Sequence, residues 1–237
     1  MPAVPLLAGY PDPDADRGVL LMGAKWTRHT FCAGRTGSGK SYLAAGECRA
    51  WDGPVLVIDR KLCMSGDLGW PTADRTHRTA DILRYLGLGP GDGPPRRGGL
   101  CYVPHWDYHV ARAECDLLIR ALFACGPHDP ALLLVVDEAW RVAREGDRPG
   151  QVHRVAVEGR ASGIQGYFIS QRPADVSKDV VTQCDRMIIF DTSFEGPWMQ
   201  RYGIDHAGVT AQLKAAPQYS YVVWDGDTIQ GPRRESR

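Results

Sequence analysis

Short apolar runs alternate with helical patterns along the chain. The run ALLLVV at 131–136 is apolar at every position, which is typical of a strand buried on both faces. Alternation of such strands with helices predicts an α/β fold, in which helices cover both sides of a mainly parallel sheet. Six strands are predicted: Thr30–Ala33, Val55–Ile58, Leu100–Val103, Ala131–Val136, Tyr167–Ser170 and Met187–Phe190.

Three stretches have the spacing of helices. Ser41–Ala50 follows a glycine-rich segment, and Pro173–Cys184 opens with proline and repeats apolar residues every four positions. The longest stretch is Val110–Cys125. We expect four of its apolar residues to share the buried face: Ala113, Leu117, Ala121 and Ala124.

Two further features bear on the domain organisation. Residues 87–99, GLGPGDGPPRRGG, are dominated by glycine and proline, which predicts a flexible surface loop within one domain. Near the C-terminus, apolar runs flank Asp225-Gly226, a dipeptide typical of tight turns, and so predict a β-hairpin. We expect residues 1–28 to form an extended arm and residues 29–237 to form a single domain.

Composition excludes several classes of protein. Lys plus Arg and Asp plus Glu both number 28, so the neutral balance argues against binding nucleic acid by bulk charge, although a locally basic channel stays open. Seven cysteines without a C-x-x-C pair fit neither a disulfide framework nor a zinc ribbon. No apolar run approaches the ~20 residues of a membrane helix, and the start does not resemble a secretory signal. We therefore expect a cytoplasmic protein.

The segment GRTGSGKS at 34–41 matches the phosphate-loop pattern G-x-x-x-x-G-K-[ST], and it lies between a predicted strand and a predicted helix. Glycines let successive N–H groups face one anion, and the helix N-terminus adds partial positive charge. We expect Lys40 to reach the β- and γ-phosphates of ATP and Ser41 to hold Mg²⁺. The expected nucleotide-binding residues are Gly34, Arg35, Thr36, Gly37, Ser38, Gly39, Lys40, Ser41 and Tyr42.

Two carboxylates follow the strand at 131–136. Ligands of open α/β sheets bind at the carboxyl ends of the strands, so Asp137 is placed to orient Mg²⁺. Glu138 favours hydrolysis, because a hydrolase needs a base for water, whereas a kinase passes the phosphoryl group to a bound acceptor. A solvated strand end without chemistry is the alternative for both residues.

The strand at Tyr167–Ser170 runs into Gln171. An amide there can donate to the γ-phosphate and accept from the attacking water, so Gln171 is a candidate sensor of the bound nucleotide. From spacing alone, an ordinary polar strand end explains this glutamine equally well.

Taken together, GRTGSGKS, DEAWR and EGRASGIQGYFISQRP resemble the FtsK–HerA superfamily of DNA-pumping ATPases, over roughly residues 30–190. The segment VLVIDRK, with Asp59 and Lys61, is similar to that family's second strand. The resemblance implies a RecA-like P-loop domain with the Gln171 strand between the phosphate-loop strand and the Asp137 strand. It also implies a ring, usually a hexamer, with ATP between subunits and double-stranded DNA in the pore.

By its position in the motif, Arg160 is implied to be the arginine finger that acts on a neighbour's ATP, with Arg172 and Arg154 as weaker candidates. A surface arginine is the alternative reading of Arg160. A bare ATPase core is similar to the genome-packaging ATPases of tailless viruses with internal membranes, which implies capsid or portal-vertex proteins as partners. A translocase of a plasmid or integrated element, a small-molecule kinase and a phage assembly ATPase acting on protein stay open.

Two weaker signals concern contacts. Basic residues at 75–78 and 96–97 could face DNA phosphates or simply be solvated. One of Trp26, Trp140 and Trp198 could flank the adenine, and the sequence does not say which.

Overall fold

The computed structural model describes residues 28–89, 98–191 and 196–234. Apart from Arg28, the predicted N-terminal arm lies outside these residues, as do residues 90–97 of the predicted glycine-proline loop. The strands are β1 Thr30–Ala33, β2 Pro54–Ile58, β3 Thr72–Ala73, β4 Gly98–Tyr102, β5 Leu132–Val136, β6 Ile164–Ser170, β7 Arg186–Ile189, β8 Tyr221–Trp224 and β9 Ile229–Arg233.

These strands form one sheet in the order β3-β4-β2-β5-β6-β1-β7-β8-β9. Strands β1 to β7 are parallel, whereas β8 and β9 are antiparallel and form the C-terminal hairpin. The predicted fold class is therefore confirmed, and all six predicted strands are present to within a few residues at each end. Strand β6 lies between β5 and β1, the position that the resemblance implied for the Gln171 strand.

Helices cover both faces of the sheet. They are α1 Lys40–Ala50, α2 Cys63–Leu68, α3 Thr79–Tyr85, α4 Tyr108–Cys125, α5 Gln151–Glu158, α6 Lys178–Thr182, α7 Gly196–Gln200 and α8 His206–Ala215. Helices α1 and α2 pack on one face and the remaining helices on the other.

Strand β2 shows how the two cores form. Leu56 and Ile58 point into one core, and Val55 and Val57 into the other, and all four are buried. Burying such a side chain stabilises the fold by about 1.5–3 kcal/mol. A continuous apolar run is therefore needed wherever a strand has helices on both sides.

The prediction of which face of α4 is buried is wrong. Leu117 is 59% exposed, Ala113 and Ala124 also face solvent, and Ala121 is only partly covered. The buried residues are instead Ala111, Cys115, Leu118, Ile119 and Leu122. The helix has apolar residues on two sides, and the side with the larger side chains packs against the sheet because it removes more apolar area from water.

The predicted helix Pro173–Cys184 is not continuous. A 3₁₀ turn at Pro173–Asp175 is followed by extended backbone at Val176, which forms an isolated bridge with Arg144, and only then does α6 begin. The four-residue apolar repeat still reaches the core, because Val176, Val180 and Cys184 are buried. The spacing therefore identified the buried residues but not the break in the helix.

Among the described residues, none of the helices combines the length and the apolar character that crossing a bilayer requires.

Gly163 connects the turn at Gly159–Ser162 to β6, and its backbone has a φ of 67°. A Cβ at this position would lie 2.2 Å from the carbonyl oxygen of His128. We expect Gly163→Ala to lower the free energy of unfolding by about 2–4 kcal/mol, because it adds backbone strain and overpacking. Denaturant unfolding measures this change.

Gly46 supplies the matched control. It lies inside α1, and a Cβ there would meet nothing within 4 Å. Gly46→Ala should raise stability by up to about 1 kcal/mol, because alanine is the better helix former. Equal effects of the two substitutions would contradict the role assigned to the Gly163 backbone.

Candidate functional site

Four neighbouring parallel strands deliver polar groups to one edge of the sheet. The phosphate loop follows β1, Asp59 follows β2, Asp137 and Glu138 follow β5, and Gln171 follows β6. Because parallel strands end at the same edge, residues far apart in the sequence meet here. The phosphate loop, Asp137, Glu138 and Gln171 are thus brought together as the sequence predicted, although their roles stay predictions.

The phosphate loop curls through two glycines with positive φ, Gly37 at 77° and Gly39 at 104°. At its start, a Cβ on Gly34 would lie 2.6 Å from Cβ of Phe190 and 2.8 Å from Oγ of Ser38, so only glycine fits. Oγ of Ser38 is buried and has no hydrogen-bond partner in the part of the chain that the structure describes. This unsatisfied donor fits a loop that closes around an anion.

Lys40 is the first residue of α1 and is 8% exposed. Its Nζ donates a hydrogen bond to the carbonyl oxygen of Arg35, at 2.8 Å, and so reaches back over the loop. Burial lowers the pKa of Lys40, whereas the charges of Glu138 and Asp137 oppose this shift. A phosphate group beside Lys40 would replace the solvation that burial removes.

Asp59 and Asp137 are cross-strand neighbours. Ile58 pairs with Val136, so the next residues of β2 and β5 lie side by side, and the Asp137 amide donates to the carbonyl oxygen of Ile58 at 2.9 Å. One Asp59 oxygen accepts from the Ser65 amide at 2.7 Å, and the other is buried with no hydrogen-bond partner among the described residues.

Burial raises the pKa of Asp137 to about 7, and the nearby charges of Glu138 and Asp59 add to the shift. Paired buried carboxylates with one unsatisfied oxygen are hard ligands that suit Mg²⁺, and the Ser41 hydroxyl at the start of α1 is a third. The residues present therefore fit the predicted metal. Sequence reasoning noted Asp59 only as part of a similar strand; its place beside Asp137 comes from the strand order.

Glu138 is held on both oxygens. Its Oε1 forms an ion pair with Nζ of Lys61, and its Oε2 accepts from Nε1 of Trp140 at 2.7 Å. Its backbone is left-handed, with a φ of 55°, which is costly for a residue with a Cβ. The side chain is 5% exposed. Neither Lys61 nor Trp140 was predicted to contact Glu138.

Gln171 touches the phosphate loop directly. The Thr36 hydroxyl donates a hydrogen bond to Oε1 of Gln171, and the Gly34 amide donates to the carbonyl oxygen of Ser170 at 3.3 Å. The end of β6 is therefore joined to the loop by side chain and backbone.

Arg160 lies at the opposite edge of the sheet, before β6 begins. Its Nη2 donates to the carbonyl oxygen of Gln183 at 2.9 Å and forms an ion pair with Asp185, and its side chain is 44% exposed. This position separates Arg160 from the phosphate loop of its own chain. The role that the resemblance implied for Arg160 therefore stays a prediction.

A shallow cleft opens beside the phosphate loop. Its lining is mainly aromatic: Gly39, Tyr42, Leu43, Phe190, Tyr219, Tyr221 and Arg234. A flat aromatic base fits such a surface. Trp198 packs against Phe31 in the core, and Trp140 contacts Glu138, so neither of these tryptophans lines the cleft; Trp26 lies outside the described residues. Of the lining residues, Gly39 and Tyr42 were predicted to bind nucleotide.

No protein-family model matches the chain, and no curated protein matches it. Several solved structures match the chain. The genome packaging NTPase B204 from Sulfolobus turreted icosahedral virus 2, in complex with ATP-gammaS, aligns with a TM-score of 0.64 and 19% identity, over 90% of this chain and 100% of that chain. B204, the DNA-packaging ATPase from Sulfolobus turreted icosahedral virus, aligns with a TM-score of 0.64 and 17% identity, over 89% and 98%.

VirB4 of Thermoanaerobacter pseudethanolicus aligns with a TM-score of 0.60 and 12% identity, over 88% of this chain and 89% of that chain. These likenesses establish the fold. This chain shares it with B204 and VirB4.

The raised pKa of Asp137 predicts a pH-dependent stability. The pKa of this carboxyl is 3.8 in the unfolded chain and about 7 in the folded chain. Between these values the folded state binds more protons, so the free energy of unfolding falls as pH rises. Asparagine cannot ionise. Asp137→Asn should therefore gain stability over the parent chain from about pH 4 to about pH 7, by at most about 4 kcal/mol at ~1.4 kcal/mol per pKa unit.

Urea unfolding of both chains without divalent metal, at a series of pH values, measures this difference. Comparison with the variant is needed because a second group titrates in this range. Burial lowers the pKa of His29 to about 4, and this shift changes the stability in the opposite direction. A difference that stays constant with pH would contradict the raised pKa.

Proposed function

We propose that this chain is a Mg²⁺-dependent ATPase that moves double-stranded DNA, and that it packages a viral genome into a preformed capsid. The observation that carries the proposal is the meeting of Lys40, Asp137, Glu138 and Gln171 at one edge of the sheet. The similar viral structures are described as a genome packaging NTPase and a DNA-packaging ATPase, which supports this choice of substrate.

In this proposal the phosphate loop binds ATP. Backbone N–H groups of residues 34–41 and the Lys40 ammonium contact the phosphates, and the aromatic cleft holds the base. Ser41 and Asp137 hold Mg²⁺, with Asp59 beside them. Bound there, Mg²⁺ supplies positive charge that neutralises the phosphates.

Glu138 takes a proton from the attacking water, and Gln171 orients that water. Lys61 and Trp140 each engage one oxygen of Glu138, and every carboxylate oxygen can accept a second hydrogen bond, so these partners orient the base while it accepts from water. Thr36 reports the state of the loop to Gln171 through their shared hydrogen bond. Hydrolysis and loop movement are thereby linked.

The proposed mechanism also calls for a neighbouring subunit. An arginine stabilises the charge that spreads over the transferring phosphoryl group, and Arg160 lies too far along its own chain's sheet to do so in its own site. We infer a ring, a hexamer in the family that the motifs resemble, in which Arg160 serves the next subunit. Capsid or portal-vertex proteins are the further partners.

Steady-state ATP hydrolysis with and without long double-stranded DNA tests the proposal. We expect DNA to raise the rate, and Lys40→Ala to remove it. Glu138→Gln should keep nucleotide binding but lower kcat about 10²–10⁴-fold, because it removes the base. Glu145→Gln is the matched control, since Glu145 is exposed and glutamine keeps the oxygen that accepts from the Lys178 amide.

Normal hydrolysis by Glu138→Gln would overturn the mechanism. Phosphorylation of a metabolite without any response to DNA would instead indicate a kinase. Stimulation by a protein and not by DNA would indicate an assembly ATPase acting on protein, the alternative that the sequence left open.

Mixing two inactive variants tests whether Arg160 acts between subunits. Lys40→Ala removes ATP binding, and Arg160→Ala leaves an intact phosphate loop without its arginine. In a mixed ring, an intact loop can lie next to an intact Arg160, so activity should return to a fraction of the parent rate. A mixture as inactive as either variant, although a sedimentation measurement shows mixed rings, would contradict the proposed role.

A further inference from the structure

Basic and aromatic residues line the same edge of the sheet beyond the ATP site. Moving away from β6, Arg172 follows β6, Arg141 follows β5, Arg60 follows β2 and Trp106 follows β4. At the end of the row, Arg75 and Arg78 follow β3 and are exposed. We name this row, from Arg172 to Arg78, the basic edge.

Trp106 is 74% exposed, which is unusual for so large an apolar side chain. The loop that carries it is nonetheless well held. The guanidinium of Arg60 donates to the carbonyl oxygen of Trp106, and the next residue, Asp107, caps α4 by accepting from two backbone amides. Because the backbone of this loop is already ordered, binding through the exposed indole would cost little further backbone freedom.

Of the arginines in the basic edge, Arg172 forms an ion pair, with Asp175 at 3.8 Å. In residues 28–89, 98–191 and 196–234, no ion pair involves Arg60, Arg75, Arg78 or Arg141. The nearby carboxylates are occupied elsewhere: Asp74 by Thr76 and His77, Asp107 by the start of α4, and Glu138 by Lys61 and Trp140.

Two of these arginines crowd one ring. The guanidinium carbons of Arg141 and Arg172 lie 4.2 Å and 5.0 Å from the centre of the Trp140 ring. Burial lowers the pKa of Arg141, and the charges of Arg60 and Arg172 lower it further, whereas the charge of Glu138 opposes this shift. Like charges brought this close favour an anion between or above them.

We propose that the basic edge binds the phosphate backbone of double-stranded DNA, with Arg60 and Arg141 contacting phosphates and Trp106 packing against the sugar-phosphate chain. This inference rests on the proposed function and names the surface through which the DNA is held. It adds Arg60, Trp106 and Arg141, none of which was predicted from the sequence to touch DNA.

The length of the basic edge favours a polymer over a single nucleotide. From β6 to β3 the row crosses four strand spacings of about 4.8 Å, or about 19 Å, which matches about six base pairs of duplex DNA. A nucleoside triphosphate could occupy only one end of it. A repeating polyanion can contact the residues that follow each strand along the row.

Salt-dependent binding of the full chain to a short labelled DNA duplex of mixed sequence tests the proposal. Each lost phosphate contact lowers the slope of log affinity against log salt by about 0.9. The double variant Arg60→Ala/Arg141→Ala should therefore have a slope smaller by about 2. Trp106→Ala should weaken binding about tenfold with little change in slope, because it removes an aromatic contact and no charge.

Arg120→Ala and Leu117→Ala are the matched controls, since both residues are exposed on α4 away from the basic edge. Thermal unfolding identifies any variant that fails to fold. If the parent chain binds duplex and the basic-edge variants bind like the controls, this inference is wrong and the proposed function stands. If the parent chain does not bind duplex at all, both are wrong.

Discussion

Four neighbouring parallel strands, β2, β5, β6 and β1, are buried at every position and leave little room for polar side chains except at their ends. Leu56, Val57 and Ile58 of β2, for example, are all buried, and the chain becomes polar only at Asp59. The same rule applies to β1, β5 and β6. Polar side chains that can bind a ligand therefore lie at one edge of the sheet, because the buried interior of the strands excludes them. The phosphate loop, the carboxylates and the glutamine meet there because their strands are parallel neighbours.

This constraint explains how much could be predicted from the sequence. Apolar runs marked the strands, and polar residues directly after those runs marked the site, so Lys40, Asp137, Glu138 and Gln171 could be identified from the sequence alone. Strand order could not be read from periodicity, because hydrogen bonding between strands leaves no trace in spacing. The resemblance of the motifs implied only that the Gln171 strand lies between the phosphate-loop strand and the Asp137 strand, and the observed order agrees with that placement.

The remaining features depend on contacts between distant residues. Periodicity could not identify the buried face of α4, because two sides of that helix are apolar and only packing against the sheet decides between them. Trp106 carries no signal in the sequence, because tryptophan is usually at least partly buried. Asp59 gains significance only from lying beside Asp137, and Lys61 only from its ion pair with Glu138. Each of these facts joins residues that lie on different elements of the fold.

The contacts that hold Glu138 have a consequence for a subunit that lies outside the proposed ring. A left-handed backbone, a lysine and an indole together hold the carboxylate in one arrangement. Under the proposed function, a solitary subunit would hold its base in place but lack the arginine that a neighbour supplies, so it could bind ATP while turning over very little of it. Idle copies of the chain would then leave the ATP supply of the cell almost untouched.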